Sequence, residues 1–161
     1  MIILGLDPGL ASTGFGAIFC QGNSVTLRAA GHIATLPGDL ITKRLFQISE
    51  DIDSLLGTLR PELVAIENVC SLVRYPRAGI VLGEVLGIIY LCAHRHGLPI
   101  LEITPKEVKN ALVGSGSATK KQIKSTTRRI LGIKEFSSPH AADAVAVALT
   151  AHYRKGYAES R

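Results

Sequence analysis

Apolar and polar positions along this chain follow two periods. Residues 2–6 form a short, wholly apolar run ended by Asp7-Pro8-Gly9, which reads as a buried strand stopping at a turn. Residues 15–20 and 25–34 read as two further strands around Gln21-Gly22-Asn23-Ser24, a hairpin signal. The period then lengthens. Over residues 40–59, Leu45, Ile48, Ile52, Leu55, Leu56 and Leu59 recur at helical spacing, and the helix stops before Pro61. Residues 63–66 are a second all-apolar run, expected of a strand covered on both faces, and it ends at Glu67-Asn68. A helix is predicted over 78–96, closed by Gly97 and Pro99, and a fifth strand over 99–103. Thr104 and Pro105 open a helix to residue 112, Thr119 caps another to residue 131, and Ser138-Pro139 starts a last one. That last helix carries Ala142, Val145, Ala146 and Leu149 on one face. Gly114-Ser115-Gly116-Ser117-Ala118 is read as a flexible break. Three strands in a meander followed by alternating helices and strands predict an α/β fold, a mixed five-stranded sheet flanked by helices.

Length narrows this to one domain. The chain has 161 residues and 47% apolar composition, enough for a core without staples. Residues 1–161 are read as a single domain, with 155–161 as a frayed tail. Cys20, Cys70 and Cys92 are odd in number and never paired as C-x-x-C, which argues against a disulfide framework or zinc site and for a reducing, cytoplasmic setting. The apolar run at 78–93 is shorter than the ~18 residues of a membrane span and is interrupted by Glu84, so no membrane partner is expected.

Charge changes the picture further. The net charge is +5, but residues 1–105 carry seven basic against nine acidic side chains, and residues 106–161 carry eleven against four. A basic third on a mildly acidic body suits a polyanion such as a nucleic-acid backbone. With four Phe, four Tyr and no Trp, a single-strand stacking platform is disfavoured.

The candidate chemistry lies in four residues. Asp7 and Glu67 end two apolar strands, and if those strands are parallel both carboxylates emerge at one end of the sheet, where open α/β sheets place their sites. His140 and Asp143, three apart, share a face at the start of the last helix. Singly, each has a plain structural explanation, a turn former or an acid facing a helix dipole. Together they form an acid cluster that repels itself unless hard cations bind there; Mg²⁺ takes such oxygen ligands, and two ions about 4 Å apart serve phosphoryl displacement.

Four blocks then carry a resemblance. Ile2-Ile3-Leu4-Gly5-Leu6-Asp7-Pro8-Gly9, Ala65-Ile66-Glu67-Asn68, Val113-Gly114-Ser115-Gly116-Ser117-Ala118-Thr119-Lys120 and His140-Ala141-Ala142-Asp143-Ala144 resemble, in order and spacing, the RuvC family of Holliday junction resolvases over about residues 1–153. The resemblance implies a ribonuclease-H-like fold and a homodimer. It implies paired, Mg²⁺-dependent nicking of four-way junction DNA in recombination and repair, with Mn²⁺ as an alternative ion. Asp7, Glu67, His140 and Asp143 carry over as metal-binding catalytic residues; the family accepts Asp or His at position 140. Lys109 and Lys120 match basic positions near the DNA and, with Lys121 and Lys124, are the candidate DNA contacts. The implied protein partners are RuvA and RuvB. One departure is that Val69-Cys70-Ser71-Leu72 offers no aromatic, before Tyr75, to stack on a junction base. Gly79, Gly83 and Gly87 form a small-residue ridge, read from spacing as packing on the helix's own sheet and from the resemblance as part of a dimer contact.

Three rivals remain open at this point. Asp7-Pro8-Gly9 with Ser12-Thr13-Gly14 also resembles the phosphate loop of actin-like ATPases, although those close two such domains around ATP. A non-catalytic junction-binding module would keep the basic third without needing the acids. A related nuclease acting on flaps or forks would share the acids.

Overall fold

The structure, a computed structural model, describes residues 1–68 and 76–159. Val69 to Tyr75, and with them the question of the missing stacking aromatic, lie outside the described residues. The elements are β1 (Ile2–Asp7), β2 (Ser12–Gln21), β3 (Ser24–Ala34), α1 (Ile41–Leu59), β4 (Leu63–Glu67), α2 (Pro76–Arg95), β5 (Ile100–Ile103), α3 (Pro105–Val113), α4 (Lys120–Leu131) and α5 (Pro139–Glu159). The sheet order is β3-β2-β1-β4-β5. The meander pairs antiparallel, while β1/β4 and β4/β5 are parallel, which is the mixed five-stranded sheet the periodicity predicts. β2 starts at Ser12, three residues before its apolar signal, because Ser12, Thr13 and Gly14 continue the ladder beside β3 without adding hydrophobicity.

The strands' twofold alternation sorts two cores. Ile3, Ile18, Leu63, Ala65 and Ile103 face α5 and join Val145 and Leu149. Leu4, Leu6, Val64 and Ile66 face the other way and meet Ile48 and Ile52 of α1 and Val85 and Ile89 of α2. Each fully buried Ile or Leu stabilises the fold by about 1.5–3 kcal/mol relative to exposure. Cys20 lies in the first core and Cys92 in the second.

α5 is buried nearly all round rather than on one face. Residues 144–151 are all buried, because α3 and α4 cover the side turned away from the sheet through Val108, Leu112 and Ile123. Glycines let it come close: a Cβ on Gly5 would run into the carbonyl oxygen of Ala144, and one on Gly14 into that of His140. Both α3 and α4 start in capping boxes, Thr104 with Glu107 and Thr119 with Gln122; each cap contributes about 1 kcal/mol. Residues 114–118 form a hydrogen-bonded turn rather than a free break. Ala118 N–H donates to the Ser115 carbonyl at 3.1 Å, and the Ala118 side chain is buried.

α2 corrects the packing role given to its glycine ridge. Val85, Ile89, Cys92 and Ala93 are buried against the sheet and α1, whereas Gly83 and Gly87 sit two residues away, a rotation of about 200°. A Cβ on either glycine would meet open space within this chain. Ile80, Tyr90 and Leu91 are exposed on the same helix. Over Arg77–Arg95 the mean hydropathy is 1.4, so by length and composition the helix passes as a membrane span, which the shorter 78–93 window did not.

Candidate active site

The parallel β1/β4 ladder pairs Leu6 with Ile66, which sets Asp7 and Glu67 side by side as the two strands run out. Both follow residues of the α5-facing set by alternation, so both carboxylates rise on the α5 face. Above them, Ser138 Oγ accepts the Ala141 N–H at 3.1 Å and opens α5, which carries His140 and Asp143 in its first turns. The tight α5–glycine packing brings this helix start down onto the strand ends. His140 Nδ1 lies 3.0 Å from Asp7 Oδ2. α4 adds a fifth member: Lys120, its first residue, donates from Nζ to Asp143 Oδ2 at 3.1 Å. The four acid and imidazole groups singled out in the sequence are thus gathered at one end of the sheet, together with one of the four lysines.

The cluster's electrostatics follow from crowding. Burial pushes the Asp7 carboxyl up, the His140 contact offsets part of this, and the Asp143 charge adds to it. Glu67 is pushed from the ordinary 4.5 up to about 7, first by burial, then by the charges of Asp7 and Asp143. The hydrogen bond to Asp143 holds the Lys120 ammonium charged, with help from Asp7 and Glu67. Among the described residues, no three His, Asp or Glu side chains converge closely enough to cage one ion in this arrangement. The reason is visible in the contacts. Asp7 is turned onto an imidazole nitrogen and Asp143 onto an ammonium, so each already has a partner. The donor set itself, three carboxylates on rigid elements, fits a hard oxygen-seeking cation such as Mg²⁺.

The Glu67 shift gives a stability expectation. The unfolded chain releases this proton near pH 4.5 and the folded, metal-free chain near 7. The folded state therefore binds the extra proton across that window, and stability falls as pH rises through it. The full shift corresponds to about 3 kcal/mol, lowered by solvent at this partly open site to about 1–2 kcal/mol. Glu67→Gln removes the ionisation. Thermal melts in EDTA between pH 5 and 8 are expected to slope downward for the wild type and to flatten for the variant. Parallel slopes would mean that Glu67 is ionised throughout.

The other lysines stand apart. Lys124 pairs with Glu135 at 3.3 Å, and Arg128 shares that same carboxylate at 3.1 Å. Lys121 is exposed and Lys109 half-buried, and neither has an ion-pair partner among the described residues. Sequence reasoning missed the polar brace on the far side of the sheet end. Glu102 accepts from the Asn68 side-chain amide and from Tyr90 O–H, and Asn68 N–H donates to the Ile103 carbonyl at 2.8 Å. Its only signal is one acid inside an apolar four-residue strand.

Comparison with known proteins bears on all of this. Residues 3–152 match the family model for crossover junction endodeoxyribonuclease RuvC. The Zymomonas mobilis protein of that name is 39% identical over 98% of this chain and 96% of its own length, and that of Brevibacillus brevis is 39% identical over 93% and 90%. The Thermus thermophilus RuvC structure superposes with a TM-score of 0.89 at 33% identity, covering 98% of this chain and 97% of that one. T. thermophilus RuvC in complex with a Holliday junction substrate gives 0.91 at 32% identity, covering 98% and 96%. The yeast mitochondrial resolvase Ydc2, at 12% identity and a TM-score of 0.64, shares the fold. With a ribonuclease-H-like sheet, a matching family model and relatives over nearly its full length, this chain belongs to the RuvC family of crossover junction endodeoxyribonucleases.

Proposed function

We propose that this protein resolves four-way DNA junctions by paired, metal-dependent nicks in opposed strands. The observation that carries this reading is its full-length similarity to T. thermophilus RuvC, solved with a Holliday junction substrate. Asp7, Glu67 and Asp143 would hold the metal, with His140 either joining them or orienting Asp7 through its 3.0 Å contact. When bound, Mg²⁺ would act as a Lewis acid that activates water and stabilises the leaving oxygen, in a two-metal arrangement with Mn²⁺ as an alternative ion. Glu67, pushed up to about 7 without metal, would have to lose its proton for the site to load, which would make loading weaker in acid. Lys120, Lys121, Lys124 and Lys109 would supply backbone contacts that position the junction without reading its sequence.

Two opposed nicks call for two sites related by a twofold axis, so the acting species is a homodimer. The exposed α2 surface of Gly83 and Gly87, with Ile80, Tyr90 and Leu91, supports this assignment. RuvA and RuvB are the expected partners on the junction, and the chromosomal substrate fits a cytoplasmic protein. The test is a panel of a synthetic four-way junction, a flap and a fork, each incubated with Mg²⁺ or EDTA. Symmetric nicks on the junction alone, lost in EDTA, are the expected result. Cutting of the flap or fork in preference to the junction, or cutting in EDTA, would overturn the proposal.

A further inference from the structure

The site contains its own cation. Lys120 is the first residue of α4, fixed in place by the Thr119–Gln122 capping box, and its side chain reaches across to Asp143 while remaining 87% exposed. Asp143 belongs to a different helix, so this ion pair spans two elements. The contact occupies an oxygen of a carboxylate that the proposed function assigns to the metal, and it helps explain why the three acids do not yet converge. An exposed ion pair of this kind is weak and readily exchanged.

We propose that Lys120 is a built-in competitor for the metal at Asp143, released by metal loading to contact a DNA phosphate. This inference rests on the reading of Asp7, Glu67 and Asp143 as metal-holding residues. Its consequence is linkage. Because one ammonium serves both contacts, metal binding raises affinity for the junction, and the junction raises affinity for the metal by the same factor. A lysine that merely touched DNA would leave metal affinity in the absence of DNA unchanged or, by its charge alone, only slightly raised on removal. The competitor role adds a second signature in DNA binding.

The experiment uses Mn²⁺ as probe, followed by electron paramagnetic resonance on the DNA-free protein. Lys120→Gln is expected to bind Mn²⁺ about two- to fivefold more tightly than the wild type, the range set by loss of an exposed ion pair. In a second measurement, Lys120→Gln should cost more junction affinity in Ca²⁺ than in EDTA, because only loading frees the wild-type ammonium. Asp143→Asn, which frees it without metal, should make the Lys120→Gln loss in EDTA as large as that in Ca²⁺. Unchanged or weaker Mn²⁺ binding by Lys120→Gln, or equal DNA losses in Ca²⁺ and EDTA, would overturn the competitor role while leaving the metal site standing. Mn²⁺ binding insensitive to both Asp7→Asn and Asp143→Asn would instead remove the metal site, and this inference with it.

Discussion

Asp7→Asn is expected to reduce junction nicking by about 10³-fold and to leave junction binding within about twofold of wild type. The size follows from what the carboxylate would do: metal charge at the reacting phosphate is worth several kcal/mol, and each 1.4 kcal/mol is about tenfold in rate. The amide keeps the side chain's shape. Its remaining oxygen still faces His140 Nδ1, which lies 3.0 Å from Asp7 Oδ2 in the wild type, so the strand end should hold its place. Asp7 is also the central member of the cluster, with Glu67 beside it in the ladder and His140 above. Losing its charge therefore weakens the site more than losing a peripheral acid would. Burial already disfavours the charged form, so the folded protein should melt no lower than the wild type in EDTA. Single-turnover nicking and gel-shift titration measure the two quantities separately. Nicking by Asp7→Asn within about tenfold of wild type would take Asp7 out of the catalytic centre, since a metal-holding carboxylate contributes more than that.

Gly5→Ala is expected to be as damaging to the fold as Asp7→Asn is to the chemistry. The added methyl would collide with the Ala144 carbonyl oxygen and crowd the Ala148 backbone nitrogen and Cβ. Only the Cβ could be trimmed away by a second substitution. The carbonyl and the nitrogen are main chain and leave only by moving α5, whose residues 144–151 are all buried. Overpacking a rigid core costs about 1–3 kcal/mol, and a backbone obstacle places this case at about 3 kcal/mol or above. Activity should fall with stability, because α5 carries His140 and Asp143 to the strand ends and a shift of even 1 Å misplaces them. Urea denaturation of the metal-free protein gives the first number and nicking at low temperature the second. A loss below about 1 kcal/mol would mean that α5 yields without cost.

Much of this architecture was written in the order of apolar positions. The run at 2–6 read as a buried strand and that at 63–66 as a strand covered on both faces, and their acidic ends became neighbours once parallel pairing was granted. Thr104, followed by Pro105, and Thr119 announced their helices because a hydroxyl is favoured at the N-cap, and the structure adds the answering Glu107 and Gln122 side chains. The sequence was silent where side chains carry no facial preference. Gly83 and Gly87 are as compatible with a packed ridge as with an open one, and only the positions of Val85 and Ile89 in space decide it. Reach was equally hidden. Lys120 and Asp143 are 23 residues apart, and a long flexible amine leaves no periodic trace of the acid it meets. The same is true of Glu135, which takes both Lys124 and Arg128 and so quiets part of a surface that composition alone reads as strongly basic.

The two cores give the folded molecule a pair of internal reporters. Cys20 is 6% exposed on the α5 side of the sheet and Cys92 fully buried between α1 and α2, with burial pushing both thiols up and away from the reactive thiolate. An alkylating reagent meets either one only when its own layer opens. Labelling rates at the two positions, with Cys70 replaced by serine, therefore measure separately how often the helix bearing His140 and Asp143 lifts from the sheet and how often the α1/α2 layer does. The opening of the α5 layer is the quantity that bears on how stiffly the acids are held, and one of the chain's own thiols lies beneath it.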